Sequence, residues 1–329
     1  DLVADGGLLP PIRCWTVDEA HGAEAEARRA FSLALSAEDI TRLAGRVSAD
    51  ESSRNVFVRA ERRVVAPSAE EGATLFYTLT AKARAAGTGY ADAAREFCAH
   101  LKDLLFFDQN KKGKGYETVE LWINGDIRQS PTFSQIVELG QTLSSAAEKL
   151  VTASQELVGY LEGLDGAAEV QREVASLAIE LKDQVKAIDI ILVHPDEAYA
   201  YAATLSRKKD RVAEKLEALL VNVGPAMNDT LFARTHSVVF ASATLVVDDR
   251  FDAFESALGL NASEFSACRM CRLDSSYDFD GQMTVYVAED MPEPNDPRYL
   301  DALQRFLADA HRAQRGSMLT LFTNRREME

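Results

Sequence analysis

Apolar residues recur at heptad spacing through the middle of the chain. Ile136, Leu143, Leu150 and Leu157 occupy one position of the repeat and Leu139, Ala146, Ala153 and Tyr160 the other. A second stripe runs through Val170, Val174, Leu177, Leu181 and Ile188, with Gln184 where an apolar residue is expected. Only Gly163-Leu164-Asp165-Gly166 separates the two, which predicts an antiparallel helical hairpin with knobs-into-holes packing. Upstream, Ser68-Ala69-Glu70-Glu71 is a capping-box signature. Phe76, Leu79 and Ala83 then share a helical face, Gly87 is expected to end that helix, and Ala94, Phe97, Leu101, Leu104 and Leu105 stripe the next. A polar helix is expected to start over 24–29.

Shorter β-rich runs flank these helices. Strands are predicted over 13–17, 55–59, 188–193, 199–205, 219–223 and 237–241, the last two as strands buried on both faces. Val119, Leu121 and Ile123 alternate, and Asn124-Gly125 supplies a two-residue hairpin turn. Near the end, Met283, Val285 and Val287 alternate on a strand. Leu300, Leu303, Phe306, Leu307 and Ala310 form the inward face of a helix that ends near Gly316, and 318–322 is a second buried strand. Strand, helix, strand is one βαβ unit of a parallel sheet.

Length and charge narrow the function classes. With 329 residues, 47% hydrophobic and 27% charged, the chain is of globular composition and long enough for two ordinary domains. No apolar run reaches the roughly 18 residues of a membrane span, no signal peptide is visible, and cytoplasm is the default expectation. Four cysteines are too few for a disulfide scaffold and are expected to be reduced. The net charge of −16 argues against nucleic-acid binding by bulk electrostatics, though not against a local basic groove. The chain starts at Asp1 without a methionine and reads as a piece of a longer protein.

Three segments carry candidate chemistry. Asp18 and Glu19 stand at the end of an apolar strand, just before His21. Such a pair suits nucleoside-triphosphate hydrolysis: one carboxylate holds Mg²⁺ through water, and the next orients or deprotonates the attacking water. The same pair also suits the N-terminus of the helix that follows. Ser242, Ala243 and Thr244 end a β-rich run, where small hydroxyl residues exchange hydrogen-bond partners cheaply or cap a turn. Thr323 and Asn324, before Arg325-Arg326, lie at a predicted parallel strand's carboxyl end, where α/β sheets bind ligands. They suit a phosphate backbone or a helix cap.

Taken in order, VDEAH, ASATL and LFTN resemble motifs II, III and IV of a superfamily 2 helicase. The longer strings DGGLLPPIRCWTVDEAH, LFARTHSVVFASATL, SSYDF, DMPEPNDPRYLDAL and GSMLTLFTN are similar to the DinG branch, akin to XPD-type DNA helicases. The resemblance implies an α/β fold: partial RecA-like P-loop NTPase motor domains with a parallel sheet and a large, mainly helical arch insertion. It further implies the end of RecA-like domain 1 over 1–30, the arch over 31–211, the return to domain 1 over 212–273 and the start of domain 2 over 274–329. About 220 residues lie between His21 and Ser242, where a simple RecA-like fold needs one βα unit.

By residue, the resemblance makes Asp18 the Mg²⁺ ligand through water and Glu19 the general base. His21 would link the nucleotide site to Ser242, Ala243 and Thr244, which would couple hydrolysis to strand separation. Thr323 and Asn324 would lie near DNA. The implied partners are ATP and single-stranded or branched DNA, acted on by a monomer moving 5′ to 3′, with no membrane involved. No G-x-x-x-x-G-K-[ST] loop is present, since Gly113-Lys114-Gly115 lacks the spacing. The family carries that loop, and any iron–sulfur cysteines, upstream of the acidic pair, so this stretch alone is expected to hydrolyse ATP negligibly.

The remaining signals are minor. Lys111, Lys112 and Lys114 form the densest basic run, a DNA-touching loop or a solvated turn. Arg207-Lys208-Lys209 with Arg211 has the same two readings. Cys268 and Cys271 have metal-ligand spacing without two further ligands. Trp15 and Trp122 are read as packing residues, with base stacking the alternative for Trp122. Two rival readings are a non-catalytic DNA- or protein-binding module built on a degenerate motor, and a nuclease-fused helicase of the same superfamily.

Overall fold

The computed structural model describes residues 12–48, 55–64, 70–105, 117–162, 164, 166–208, 211–261 and 268–322. The chain divides into two compact units, 1–268 and 269–329. In the first unit, β1 (Cys14–Val17) leads through a 3-10 turn (Ala20–Gly22) into α1 (Ala23–Phe31) and β2 (Leu33–Ser36). Next come α2 (Ala37–Ser48), α3 (Val56–Arg63), α4 (Glu70–Leu105), β3 (Glu117–Trp122) and α5 (Gly125–Arg128). The helices α6 (Pro131–Leu161) and α7 (Ala168–Ile188) follow, α7 running on into a π turn (Asp189–Val193). Then come β4 (Tyr199–Lys208), β5 (Arg211–Leu220), α8 (Gly224–Thr230), β6 (Ser237–Phe240) and α9 (Asp252–Leu258). The result is mixed α/β, mostly helical, with a small parallel sheet.

The heptad stripes do what their spacing predicts. Ile136, Leu143, Leu150 and Leu157 of α6 are buried with Val170, Val174, Leu177, Leu181 and Ile188 of α7. Ser130 caps α6 by accepting the Phe133 N–H, and Pro131 occupies the first turn, where its missing donor is harmless. The third partner is α4. Its residues Phe76, Ala83, Tyr90 and Phe97, seven apart, are fully buried. Gln184 is tolerated in this core because its Oε1 accepts the Tyr90 hydroxyl proton at 2.6 Å.

A four-stranded antiparallel sheet, order β2-β5-β4-β3, covers one side of the same core with Leu35, Leu216, Ala218, Ala203 and Leu205. A second, smaller core gathers Ala27, Leu220, Val223, Met227, Leu231 and Leu258, with Trp15, Phe31 and Val238 against it. Over it β1 and β6 pair in parallel, and the Phe240 ring meets Phe232 and Phe254 edge-on at 6.3 and 5.5 Å.

Several local expectations are corrected. Gly87 does not end a helix: α4 continues through it, and the missing Cβ lets α4 approach Val47. Residues 55–59 are helical, because Asn55 accepts the Phe57 and Val58 N–H groups and starts α3. Residues 188–193 extend α7 rather than form a strand. Asn124-Gly125 makes no hairpin turn, since Asn124 caps α5 instead. Of the run predicted over 219–223 only the first two residues are strand, since β5 ends at Leu220. β6 is half-exposed, not buried on both faces, because its sheet has two strands. Trp122 is no packing residue: its side of β3 leaves it 56% exposed.

The second unit holds α10 (Phe279–Gln282) and α11 (Tyr299–Gln314). The helix expected around Phe306 forms, but the two flanking strands do not among the described residues. Val285, Val287, Leu319 and Leu321 are exposed there, as is Phe306. Parallel sheets are covered on both faces, and one helix can cover only one of them.

Candidate functional site

The acidic pair and the hydroxyl pair, far apart in sequence, end on neighbouring strands. β1 and β6 run in parallel register from Cys14 opposite Ser237 to Val17 opposite Phe240. The ladder extends past both strand ends: the Ala241 N–H donates to Val17 O at 2.9 Å and the Ala20 N–H to Ala241 O at 3.0 Å. These bonds fix Asp18, Glu19 and His21 beside Ser242, at the carboxyl edge where parallel sheets bind ligands.

The turn between β1 and α1 is tight. Asp18 Oδ1 accepts the Glu19 N–H at 2.9 Å. Glu19 adopts a left-handed conformation, φ 49° and ψ 42°, which costs a residue with a Cβ about 1 kcal/mol. Ala20, fully buried, anchors the turn beneath it. Three side chains then meet. The Ser242 hydroxyl donates to Glu19 Oε2 at 3.3 Å, and His21 Nδ1 lies 3.0 Å from Ser242 Oγ and 3.3 Å from Glu19 Oε2. With the Ser242 proton on Glu19, the Nδ1–H tautomer of His21 completes the ring as a donor. Ser242 Oγ also lies 3.4 Å from the Thr244 nitrogen and so holds its own turn.

Glu19 makes no capping side-chain bond to the 3-10 turn it precedes. The Glu19 side chain is 72% exposed and open to an incoming ligand. Asp18 is exposed, with Oδ1 held by the Glu19 N–H. Among the described residues no group of three or more His, Cys, Asp or Glu side chains is placed to hold a metal ion. Asp18 and Glu19 are exposed carboxylate oxygen donors, the type that Mg²⁺ takes beside a shell of water. Cys268 and Cys271 are exposed free thiols.

Thr323 and Asn324, Lys111, Lys112 and Lys114, Lys209 and the whole Gly113-Lys114-Gly115 run lie outside the described residues. The role of Glu19 as the hub between His21 and Ser242 was not legible beforehand, because it depends on a left-handed backbone that no spacing signals.

No family model matches the chain. Over 223 residues, 67% of its length, it is 25% identical to a Bacillus subtilis (strain 168) protein named 3′-5′ exonuclease DinG. The chain spans 23% of that relative's length. The similarity points to a DNA-processing enzyme family. Among the described residues no helix is long and apolar enough to cross a membrane.

Proposed function

We propose that the chain is the central part of a DinG-like, ATP-dependent DNA helicase, with β1, α1 and β6 belonging to its first RecA-like motor domain and the large helix–sheet layer serving as an arch. One observation carries the reading. The acidic pair and the Ser242 hydroxyl, 223 positions from Glu19, share a hydrogen bond at the carboxyl ends of adjacent parallel strands. A nucleotide-driven motor needs that adjacency, because the group that senses hydrolysis must touch the group that performs it.

In this reading Asp18 anchors the water shell of Mg²⁺, which neutralises developing phosphate charge when bound. Glu19 takes the proton of the attacking water. Ser242 and His21 hold the Glu19 carboxylate in place and pass its change of partners to the Ser242-Ala243-Thr244 turn. Thr323, Asn324 and the Lys111, Lys112 and Lys114 run would contact the DNA strand, moved 5′ to 3′ as the resemblance implies. The phosphate-cradling loop is assigned to no residue of this chain.

The test is Glu19→Gln in the intact protein. Turnover should fall by at least about a hundredfold, the scale of a lost general base, while nucleotide binding persists. Wild-type steady-state DNA-stimulated ATPase from that variant removes Glu19 from the mechanism. Absence of any ATPase in the wild-type protein, with DNA binding retained, favours the non-catalytic binding module.

A further inference from the structure

The first unit has two hydrophobic cores, and the chain passes between them twice: outward after Phe31, where α1 gives way to β2, and back at Leu220, where β5 ends. Both crossings meet on one side chain. Arg28 Nη1 donates to the carbonyls of Leu220 at 2.5 Å and Val221 at 2.9 Å. Its Nη2 is ion-paired with Glu24 one turn earlier on α1. Beside it, Ser32 Oγ donates to Arg28 O at 2.6 Å and accepts the Leu220 N–H at 3.3 Å. The outgoing and returning strands are thus stitched to the last turn of the helix that begins three residues after Ala20.

We infer that Arg28 is a positioning residue: it clamps the returning strand to α1 and so sets the orientation of the large helix–sheet layer relative to the strand pair that carries Glu19 and Ser242. The argument is mechanical. α1 is nine residues long and its first turn is continuous with the Glu19–Gly22 turn, so a shift at the acidic pair moves the whole helix. At its far end one guanidinium nitrogen holds two successive carbonyls while the other keeps the Glu24 pairing, a division that a single-headed donor cannot make with the same geometry. Bonds from a charged donor are stronger than neutral ones, and here the acceptors are the last residue of β5 and the one after it, where the chain enters the other core. Transmission to DNA unwinding rests on the helicase reading above; the clamp itself does not.

The test uses the intact protein with donor and acceptor fluorophores on non-natural side chains at Glu148 and Ala253, exposed positions of α6 and α9. Wild-type protein should give one narrow transfer-efficiency population. In Arg28→Ala the layer should sample a second orientation, its share raised about tenfold, equivalent to about 1.4 kcal/mol, with far-UV circular dichroism unchanged. Arg28→Lys should fall between, and it carries the test if the alanine variant does not fold. In parallel, DNA-stimulated ATPase of Arg28→Ala should stay within about twofold of wild type while base pairs separated per ATP drop several-fold, a split that general loss of structure does not give. An unchanged transfer distribution in folded Arg28→Ala overturns the clamp. An altered distribution with ATPase and unwinding falling in proportion overturns its role in coupling. If the wild-type protein has no ATPase, the helicase reading fails and the distribution alone decides the clamp.

Discussion

Two glycines of α4, two residues apart, should answer oppositely to alanine. A Cβ on Gly87 would lie 2.9 Å from Val47 O and 3.0 Å from Val47 Cβ, whereas one on Gly89 would meet nothing within 4 Å. Each substitution removes a mid-helix glycine and gains about 1 kcal/mol of helix propensity. At Gly89 that gain is the whole effect. At Gly87 the obstruction is backbone, at the end of α2, and that carbonyl already accepts the Asn55 Nδ2–H at 2.9 Å. Asn55 is buried and also caps α3, so pushing Val47 aside disturbs three helices together. Overpacking costs about 1–3 kcal/mol, and weakening the Asn55 bond adds about 0.5–1.5 kcal/mol. Gly87→Ala should therefore lose about 0.5–3.5 kcal/mol net and Gly89→Ala gain about 1 kcal/mol. For a unit of this size the midpoints of thermal unfolding should move apart by about 3–18 °C. Urea unfolding with matched m-values measures the difference directly. Equal stabilisation by the two alanines would refute the close approach of α4 to α2, and with it the account of why glycine stands at 87.

Further expectations concern the polar contacts of the large core. Tyr90→Phe should destabilise by about 1–2 kcal/mol by orphaning Gln184 Oε1, and adding Gln184→Leu should recover most of it; a double mutant worse than the sum of the singles contradicts this. Burial pushes the Glu180 carboxyl up, but hydrogen bonds from Arg46 and Arg42 outweigh it and hold the group below the ordinary carboxylate value. A carboxyl lowered in the folded state contributes stability that is present above its unfolded value and lost as pH falls through the folded one. Wild type should thus lose stability below about pH 4.5 more steeply than Glu180→Gln, as equilibrium unfolding across that range would record. Parallel acid limbs would count against the pair.

Local order was legible where one face of an element is buried over several turns. The stripes of α6 and α7 fix both helices and their pairing, because a continuous apolar seam has only one way to leave water. Legibility failed for runs of five or six residues. Asn55 to Arg59 and Ile188 to Val193 carry β-branched residues, yet both are helical: Asn55 supplies a cap, and Ile188, Ile191 and Leu192 continue the buried side of α7. The seven-residue spacing of Phe76, Ala83, Tyr90 and Phe97 was present in the sequence but hidden by reading Gly87 as a stop.

The sequence by itself determined the amphipathic helices, the polar turns and the acidic and hydroxyl residue types that stand at the two strand ends. These follow from side-chain chemistry and short-range periodicity. What only the tertiary structure decided was adjacency: that Val17 and Phe240 are partners, that Ser242 meets Glu19 and His21, and that Arg28 grips Leu220 and Val221. Contacts across some two hundred residues depend on how the two cores close, because the hydrophobic driving force is non-directional and the pairing of strand ends emerges only once both cores are packed.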